Sequence, residues 1–180
     1  MVVQVAKCIG CQACTVACKF ENRVPEGQYR TKAPAIGPTG TYPKVKMWFE
    51  KEACQMCKDA PCVGVCPTKA SHVNQDGVIL VDVNKCVGCK YCITACPYDA
   101  RFINRETGAA DKCTFCYETR VSKGQKPACV STCVGGALAF GDLNDPGGDV
   151  KKLIDTHKAE VRKPEFDTHP NVYYIYEGVK

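Results

Sequence analysis

The sequence predicts an α+β fold of short strands and short helices that ends in a helix and a strand. Three observations predict this fold. Sixteen of the 180 residues are cysteines, and they are clustered in four groups. The segments between the groups are short, alternate in polarity and are bounded by Gly, Pro and Asn. The segment after Gly141 contains no cysteine and has its own helix and strand signals.

Short strands are predicted next to the cysteine groups. They comprise residues 44–51, residues 77–83 in a hairpin with residues 74–76, residues 100–104 and residues 137–141. Residues 25–43 are rich in Gly and Pro and predict an ordered excursion over the surface. Asp145 as N-cap and Pro146 at the first helical position predict the only sizeable helix, which ends near residue 158. Residues 170–176 predict either a core strand or a docking surface.

The cysteines form an internal repeat of four groups of four. Groups one and three have the spacing C-x2-C-x2-C-x3-C, and groups two and four lengthen only the gap before the third cysteine. The groups are Cys8, Cys11, Cys14 and Cys18; Cys54, Cys57, Cys62 and Cys66; Cys86, Cys89, Cys92 and Cys96; and Cys113, Cys116, Cys129 and Cys133. This is the bacterial ferredoxin spacing, in which three cysteines hold one 4Fe-4S cluster and the fourth holds its neighbour. The pattern therefore predicts four 4Fe-4S clusters shared by two pairs of groups.

Two other uses of cysteine fit this pattern less well. A single C-x2-C pair is equally typical of a zinc knuckle, but four tetrads of ferredoxin spacing favour iron-sulfur clusters. Disulfide scaffolds space their cysteines irregularly, and cysteines at every third residue are badly placed to pair with one another.

The formal net charge of +5 counts every cysteine as neutral. Cysteines that bind iron are thiolates, and an oxidised 4Fe-4S cluster with its ligands carries about −2. Four clusters would leave a net charge of about −3, so nucleic-acid binding is not indicated. The lysines within one residue of a cysteine are Lys7, Lys19, Lys58, Lys85, Lys90 and Lys112. Each is either a counter-charge for a cluster or an ordinary surface lysine.

The sequence shows no signal for catalysis or for a membrane span. It contains no nucleophile paired with a base, no phosphate loop and no G-x-G-x-x-G motif. No apolar run approaches the roughly eighteen residues of a transmembrane helix, and no secretory leader precedes Cys8. We therefore expect electron transfer without an active site in this chain.

Several motifs carry a resemblance to a known family. The run Cys18-Lys19-Phe20-Glu21-Asn22 and the segments 60–68, 96–101 and 112–116 resemble the four-cluster iron-sulfur subunits of molybdopterin oxidoreductases of the dimethyl sulfoxide reductase family. The polysulfide and thiosulfate reductase branch is the most similar. The resemblance covers nearly the whole chain.

The resemblance implies a particular division of the chain. Group one pairs with group four and group two with group three, which gives two interleaved bacterial-ferredoxin-like units. The outer unit would comprise residues 1–50 and 105–144, and the inserted unit residues 51–104. Residues 145–180 would form a C-terminal extension that contacts another subunit.

The resemblance also implies the ligands of each cluster. The four sets are Cys8, Cys11, Cys14 and Cys133; Cys113, Cys116, Cys129 and Cys18; Cys86, Cys89, Cys92 and Cys66; and Cys54, Cys57, Cys62 and Cys96. In the family the clusters form a chain in this order, from the active-site subunit towards a membrane quinone subunit.

The resulting hypothesis is a non-catalytic subunit that relays single electrons. Its partners would be a molybdenum- or tungsten-pterin catalytic subunit and a quinone-linked membrane anchor subunit. The chain would then be membrane-associated through its partners, on either the cytoplasmic or the periplasmic face. Two other hypotheses stay open, a free soluble polyferredoxin and a zinc-stabilised interaction module.

Overall fold

The computed structural model describes residues 1–179, and its elements are short, in agreement with the predicted α+β class. The strands are β1 (Val2–Gln4), β2 (Thr31–Lys32), β3 (Ala35–Thr39), β4 (Lys46–Phe49), β5 (Glu52–Ala53), β6 (Ser71–Val73), β7 (Ile79–Val81), β8 (Phe102–Ile103), β9 (Ala110–Asp111), β10 (Leu138–Ala139), β11 (Ala159–Glu160) and β12 (Tyr173–Ile175). The α-helices are α1 (Ala13–Glu21), α2 (Pro61–Gly64), α3 (Tyr91–Thr94), α4 (Ala128–Ser131) and α5 (Asp149–Thr156). Single 3-10 turns cover Val5–Lys7, Val121–Lys123 and Pro164–Phe166.

The largest sheet joins the two ends of the described chain. Its strand order is β10-β1-β12-β11. Strand β1 runs antiparallel to β10 and parallel to β12, and β11 runs antiparallel to β12. The other strands form the two-stranded ribbons β2-β5, β3-β4, β6-β7 and β8-β9.

The two faces of the large sheet contact different parts of the molecule, because successive side chains of a strand point to opposite sides. Val2 and Ile175 pack with Val150 of α5 in a small apolar cluster. Val3 and Tyr174 belong instead to the main core, which includes buried cysteines of groups two, three and four and packs against Cys14 of group one. The sheet therefore separates α5 from the cysteine-bearing part of the protein.

The helices that follow the cysteine loops pack in two pairs. Helix α1 of group one contacts α4 of group four, and α2 of group two contacts α3 of group three. This is the group pairing that the resemblance implies. The further division into an outer and an inserted unit remains a prediction.

Most of the predicted strands are present but shorter. Residues 71–81 form the expected hairpin, in which the Asn74 side chain accepts hydrogen bonds from the backbone N–H groups of Asp76 and Val78 at 3.0 and 2.8 Å. Of the predicted strand 44–51 only residues 46–49 form a strand, β4, and β5 follows separately at residues 52–53. The segment 25–43 contains β2 and β3, which pair with those two strands.

The prediction for residues 145–158 is wrong at the start of the helix. Helix α5 begins at Asp149, after the N-cap residue Gly148. The Asp145 carboxylate does not cap a helix, because it accepts a hydrogen bond from the Gly147 N–H at 3.0 Å in a local turn. Nor is α5 the only sizeable helix, since α1 has nine residues and α5 has eight.

The segment 170–176 is a core strand at β12. Tyr174 is only 1% exposed and lies in the main core. Contact of the C-terminal segment with another subunit stays a prediction. Within residues 1–179 no helix is both long and apolar enough to cross a membrane.

Candidate metal centre

Each cysteine group is a loop that leads into a short helix. In all four groups the third cysteine is the second residue of that helix, and the fourth comes four residues later. Cys18 lies within α1, about one helical turn after Cys14, whereas Cys66, Cys96 and Cys133 each lie two residues after the end of their helix. This local geometry separates each fourth cysteine from the other three of its group.

The structure brings the sixteen cysteines together as four quartets. Quartet 1 is Cys8, Cys11, Cys14 and Cys133; quartet 2 is Cys18, Cys113, Cys116 and Cys129; quartet 3 is Cys54, Cys57, Cys62 and Cys96; quartet 4 is Cys66, Cys86, Cys89 and Cys92. Quartets 1 and 4 each line one cavity. In quartets 2 and 3, the thiols of Cys18 and Cys57 interact electrostatically with the other three members. Every quartet thus combines three cysteines of one group with the fourth of its paired group.

The quartets differ in burial. All four cysteines of quartet 2 are buried, as are three of the four in quartet 3. Quartets 1 and 4 each have one exposed cysteine, Cys11 and Cys89. Quartets 2 and 3 therefore lie inside the protein, and quartets 1 and 4 reach its surface.

Neighbouring cysteines also indicate the order of the quartets. Cys129 of quartet 2 has Cys14 of quartet 1 among its electrostatic neighbours. Cys113 of quartet 2 has Cys54 of quartet 3 among its own. Quartet 3 therefore adjoins quartet 2, whereas the order implied by the resemblance puts quartet 4 there. The arrangement that fits both the contacts and the burial is quartet 1, 2, 3, 4.

Hydrogen-bond donors are directed at the sulfur atoms. The backbone N–H groups of Ser71, Ala110 and Phe115 donate to Cys66, Cys86 and Cys113 at 3.4, 3.3 and 3.4 Å. The Asn22 amide lies 3.6 Å from the sulfurs of both Cys18 and Cys116. Hydrogen bonds to the charged form of a group favour that form, so these donors favour thiolates over thiols.

Burial acts against the thiolate form. It raises the pKa of Cys57 and of Cys129 to about 11. Burial together with the thiolates of quartet 2 also raises the pKa of Cys18. These groups hold their protons near neutral pH, so binding of a metal cluster there must release protons.

The donor set fits iron-sulfur clusters. All sixteen cysteines are free of disulfides. No three His, Cys, Asp or Glu side chains in the described part of the chain converge tightly enough to hold one metal ion. In a zinc knuckle, by contrast, four ligands surround a single ion. Four thiols per quartet, with N–H groups directed at the sulfurs, suit a 4Fe-4S cluster.

The six lysines that adjoin cysteines in sequence differ in burial. Lys112 is fully buried, whereas Lys7, Lys58, Lys85 and Lys90 are exposed. The Lys19 ammonium donates to the backbone oxygens of Pro25 and Gln28 at 2.7 and 2.9 Å. The sequence analysis missed two other buried cations, Lys51 and Arg101. Neither adjoins a cysteine in sequence, and no local signal marks them.

Comparison with known proteins agrees with this site. A family model described as a 4Fe-4S dicluster domain matches residues 45–143. The chain is 44% identical over 172 residues to the B component of polysulfide reductase from Wolinella succinogenes, covering 93% of this chain and 88% of that protein. It is 44% identical to the B component of tetrathionate reductase from Salmonella typhimurium, covering 97% and 71%. It is 49% identical to the thiosulfate reductase electron transfer subunit of Salmonella typhi, covering 77% and 73%.

Over most of its length, then, the chain shares both its cysteine pattern and its sequence with one group of proteins. The relatives are named as the B components or electron transfer subunits of reductases. This protein belongs to the 4Fe-4S dicluster family and, within it, to the iron-sulfur electron-transfer subunits of reductase complexes.

Proposed function

We propose that this chain relays single electrons through four 4Fe-4S clusters, one in each quartet, between two partner subunits. The observation that carries the proposal is the burial pattern, with cysteines of quartets 2 and 3 inside the protein and Cys11 and Cys89 at the surface. Electrons would enter or leave at quartets 1 and 4. Relatives named as electron transfer subunits or B components of reductases support the same role.

The residues of this chain have three tasks in the relay. The cysteines hold the clusters, and bound clusters would supply the one-electron sites. The core around quartets 2 and 3 keeps water away from the interior steps, which lowers the local dielectric. Side chains around Cys11 and Cys89 form the contacts through which partners approach.

Exposed apolar residues lie at both ends of the quartet series. The first patch is carried by the segments that bear the quartet 1 cysteines and consists of Ile9, Val16, Phe20 and Val134, which are 61, 66, 89 and 75% exposed. The second patch, near quartet 4, consists of Val87 and Tyr91, which are 68 and 63% exposed. Apolar surface of this kind is typical of protein contacts.

Relatives named as B components or electron transfer subunits of reductases support a proposal about the partners. We propose that the first patch contacts a molybdenum- or tungsten-pterin catalytic subunit and that the second contacts a quinone-linked membrane anchor subunit. The chain would then be held at a membrane through its partner. Those partners would determine on which face of the membrane the chain lies.

The first test is the metal content of the chain. Anaerobically prepared complex should contain about sixteen irons in this subunit, as four 4Fe-4S clusters require. Electron paramagnetic resonance (EPR) during a redox titration should resolve four one-electron centres. About four zinc ions and no iron signal would support the zinc module instead.

The second test addresses the two patches separately. Phe20→Glu should weaken copurification with the catalytic subunit only, and Tyr91→Glu should weaken copurification with the membrane anchor only. Tyr42→Glu is the matched control, because Tyr42 is also 89% exposed but lies in the turn between β3 and β4. Native chain that runs alone on gel filtration with its clusters intact would contradict the subunit proposal and favour the free polyferredoxin.

A further inference from the structure

Three cations are buried in the core without a carboxylate partner. Lys112, Lys51 and Arg101 are 0, 3 and 6% exposed. Within residues 1–179 none of them has a carboxylate oxygen within the 4.0 Å of an ion pair. A buried charge is costly unless another charge or several hydrogen bonds compensate it. The compensating charge must therefore come from elsewhere in the core.

Lys112 lies between quartets 2 and 3. Its ammonium donates to the backbone oxygens of Ile79 and Cys113, the latter at 2.8 Å, and lies 4.0 Å from the Met56 sulfur. Three acceptors match the three N–H donors of an ammonium group. Burial and the positive charge of Arg101 lower the pKa of Lys112, while the thiolates of Cys54 and Cys113 oppose that effect.

Arg101 lies between quartets 3 and 4. Its Nη2 donates to the Cys62 sulfur at 2.9 Å and to the Ser71 hydroxyl at 2.8 Å. The same guanidinium faces Cys92 and lines the cavity of quartet 4. Its Nη1 is buried and has no hydrogen-bond partner in the part of the chain that the structure describes. A donor without an acceptor at this place fits an additional anionic group between the cysteines.

Lys51 lies between quartets 1 and 2. It lines the cavity that Cys8, Cys11, Cys14 and Cys133 surround. Its ammonium also interacts electrostatically with Cys129 and with other thiols of quartet 2. Lys51 lies between the end of β4 and the start of β5, and it is buried there.

The three cations thus occupy the three junctions of a series of four quartets. We propose that Lys51, Lys112 and Arg101 are potential-setting residues, each placed so that its positive charge stabilises the reduced form of the two clusters beside it. This inference rests on the cluster assignment proposed above. It adds that one fixed charge acts on two neighbouring centres at once.

The physical consequence is that each cation affects the reduction potentials of two clusters. Reduction adds an electron to a cluster, and a nearby cation in a low-dielectric core favours that added charge. Removal of one cation should therefore lower the reduction potentials of two adjoining clusters and leave the other two nearly unchanged. A residue with a merely structural role would reduce cluster content without this selectivity.

The experiment is an EPR-monitored redox titration of the assembled complex with three neutral variants, Lys51→Gln, Lys112→Gln and Arg101→Gln. Glutamine keeps a hydrogen-bond donor and removes the charge. The four signals are first assigned with Cys11→Ala, Cys116→Ala, Cys57→Ala and Cys89→Ala, one for each quartet. Lys112→Gln should lower the equilibrium constant for reduction about tenfold at each of quartets 2 and 3. This is a decrease of about 59 mV in the reduction potential of a one-electron centre.

Each of the other two variants should shift the potentials of a different pair of neighbouring quartets. Lys51→Gln should shift the signals of quartets 1 and 2, and Arg101→Gln those of quartets 3 and 4. Lys51→Arg and Arg101→Lys, which keep the charge, should restore the potentials. Lys90→Gln is the matched control, because Lys90 adjoins Cys89 in sequence but is exposed, so that solvent and salt screen its charge.

The outcomes separate the two proposals. Four clusters with potentials that do not shift in these pairs would overturn the present inference and leave the relay intact. Fewer than four clusters in the unsubstituted complex would overturn the relay itself. If Lys112→Gln fails to assemble, the pairs expected for Lys51→Gln and Arg101→Gln decide the question.

Discussion

The hydroxyl groups of Tyr98 and Thr168 lie 2.6 Å apart and join the end of cysteine group three to the C-terminal segment. Thr168 is 3% exposed and also hydrogen-bonds towards Cys57. The backbone N–H groups of Lys58 and Asp59 donate to the oxygens of His169 and Thr168 at 2.9 and 3.2 Å. The C-terminal segment therefore covers quartet 3 and accounts for its burial.

This cover predicts the effect of Thr168→Val. Loss of the hydroxyl removes both its hydrogen bond with the Tyr98 hydroxyl and the one towards Cys57, at a cost of about 0.5–1.5 kcal/mol each. We expect the segment to open more often and quartet 3 to lose iron to a ferrous chelator up to about tenfold faster, measured anaerobically by absorbance. Thr156→Val, at an exposed threonine, should lose iron at the rate of the native protein. Equal rates in both variants would contradict the assignment of a covering role.

Substitution of Tyr174 should change the stability of the whole core. Its hydroxyl donates to the Lys51 backbone oxygen at 2.9 Å and accepts from the Gln55 side chain at 3.0 Å. Tyr174→Phe removes both hydrogen bonds, so we expect a loss of about 1–3 kcal/mol in the free energy of unfolding. The urea midpoint for loss of cluster absorbance measures it. Tyr42→Phe, at a residue 89% exposed, should have the native midpoint.

Gly10 and Gly108 offer a matched pair of substitutions. Both have a φ of +69°, but a Cβ at Gly10 would lie 2.5 Å from the Phe49 ring, and one at Gly108 would have no heavy atom within 4 Å. Gly108→Ala should cost only the left-handed strain of about 1–2 kcal/mol. Gly10→Ala should in addition displace the loop between Cys8 and Cys11, with loss of the quartet 1 signal and of iron. Full iron content in Gly10→Ala would show that Phe49 can move aside.

The exchange of fourth cysteines between paired groups can be tested directly. If three cysteines of group one and Cys133 hold one cluster, Cys133→Ala should abolish the signal that Cys11→Ala also abolishes. Cys18→Ala should abolish the signal that depends on Cys116. Each variant should lose about four irons. The reverse dependence would mean that each group holds a cluster by itself.

Part of this site was predictable because the relevant geometry is local. Cysteine spacing fixes a loop followed by a helical turn, so the four groups, their ferredoxin character and the separation of each fourth cysteine follow from nearby residues. The hairpin at residues 71–81 was also predictable, because Asn74 and Asp76 are typical turn residues. The start of α5 was not, because Asp145 has a competing hydrogen bond with Gly147 in the folded chain.

The sequence by itself determined the number and spacing of the cysteines, which we propose as metal ligands, and the α+β class, since both depend on residue type and short-range spacing. Only the tertiary structure decided which quartets are neighbours, as for Cys54 and Cys113, and which cations lie between them. Lys90, beside Cys89 in sequence, is exposed to solvent, whereas Lys51, three residues before Cys54, is buried near Cys129. The strength of an electrostatic interaction depends on the distance between charges in space, and packing brings together residues that are far apart in sequence.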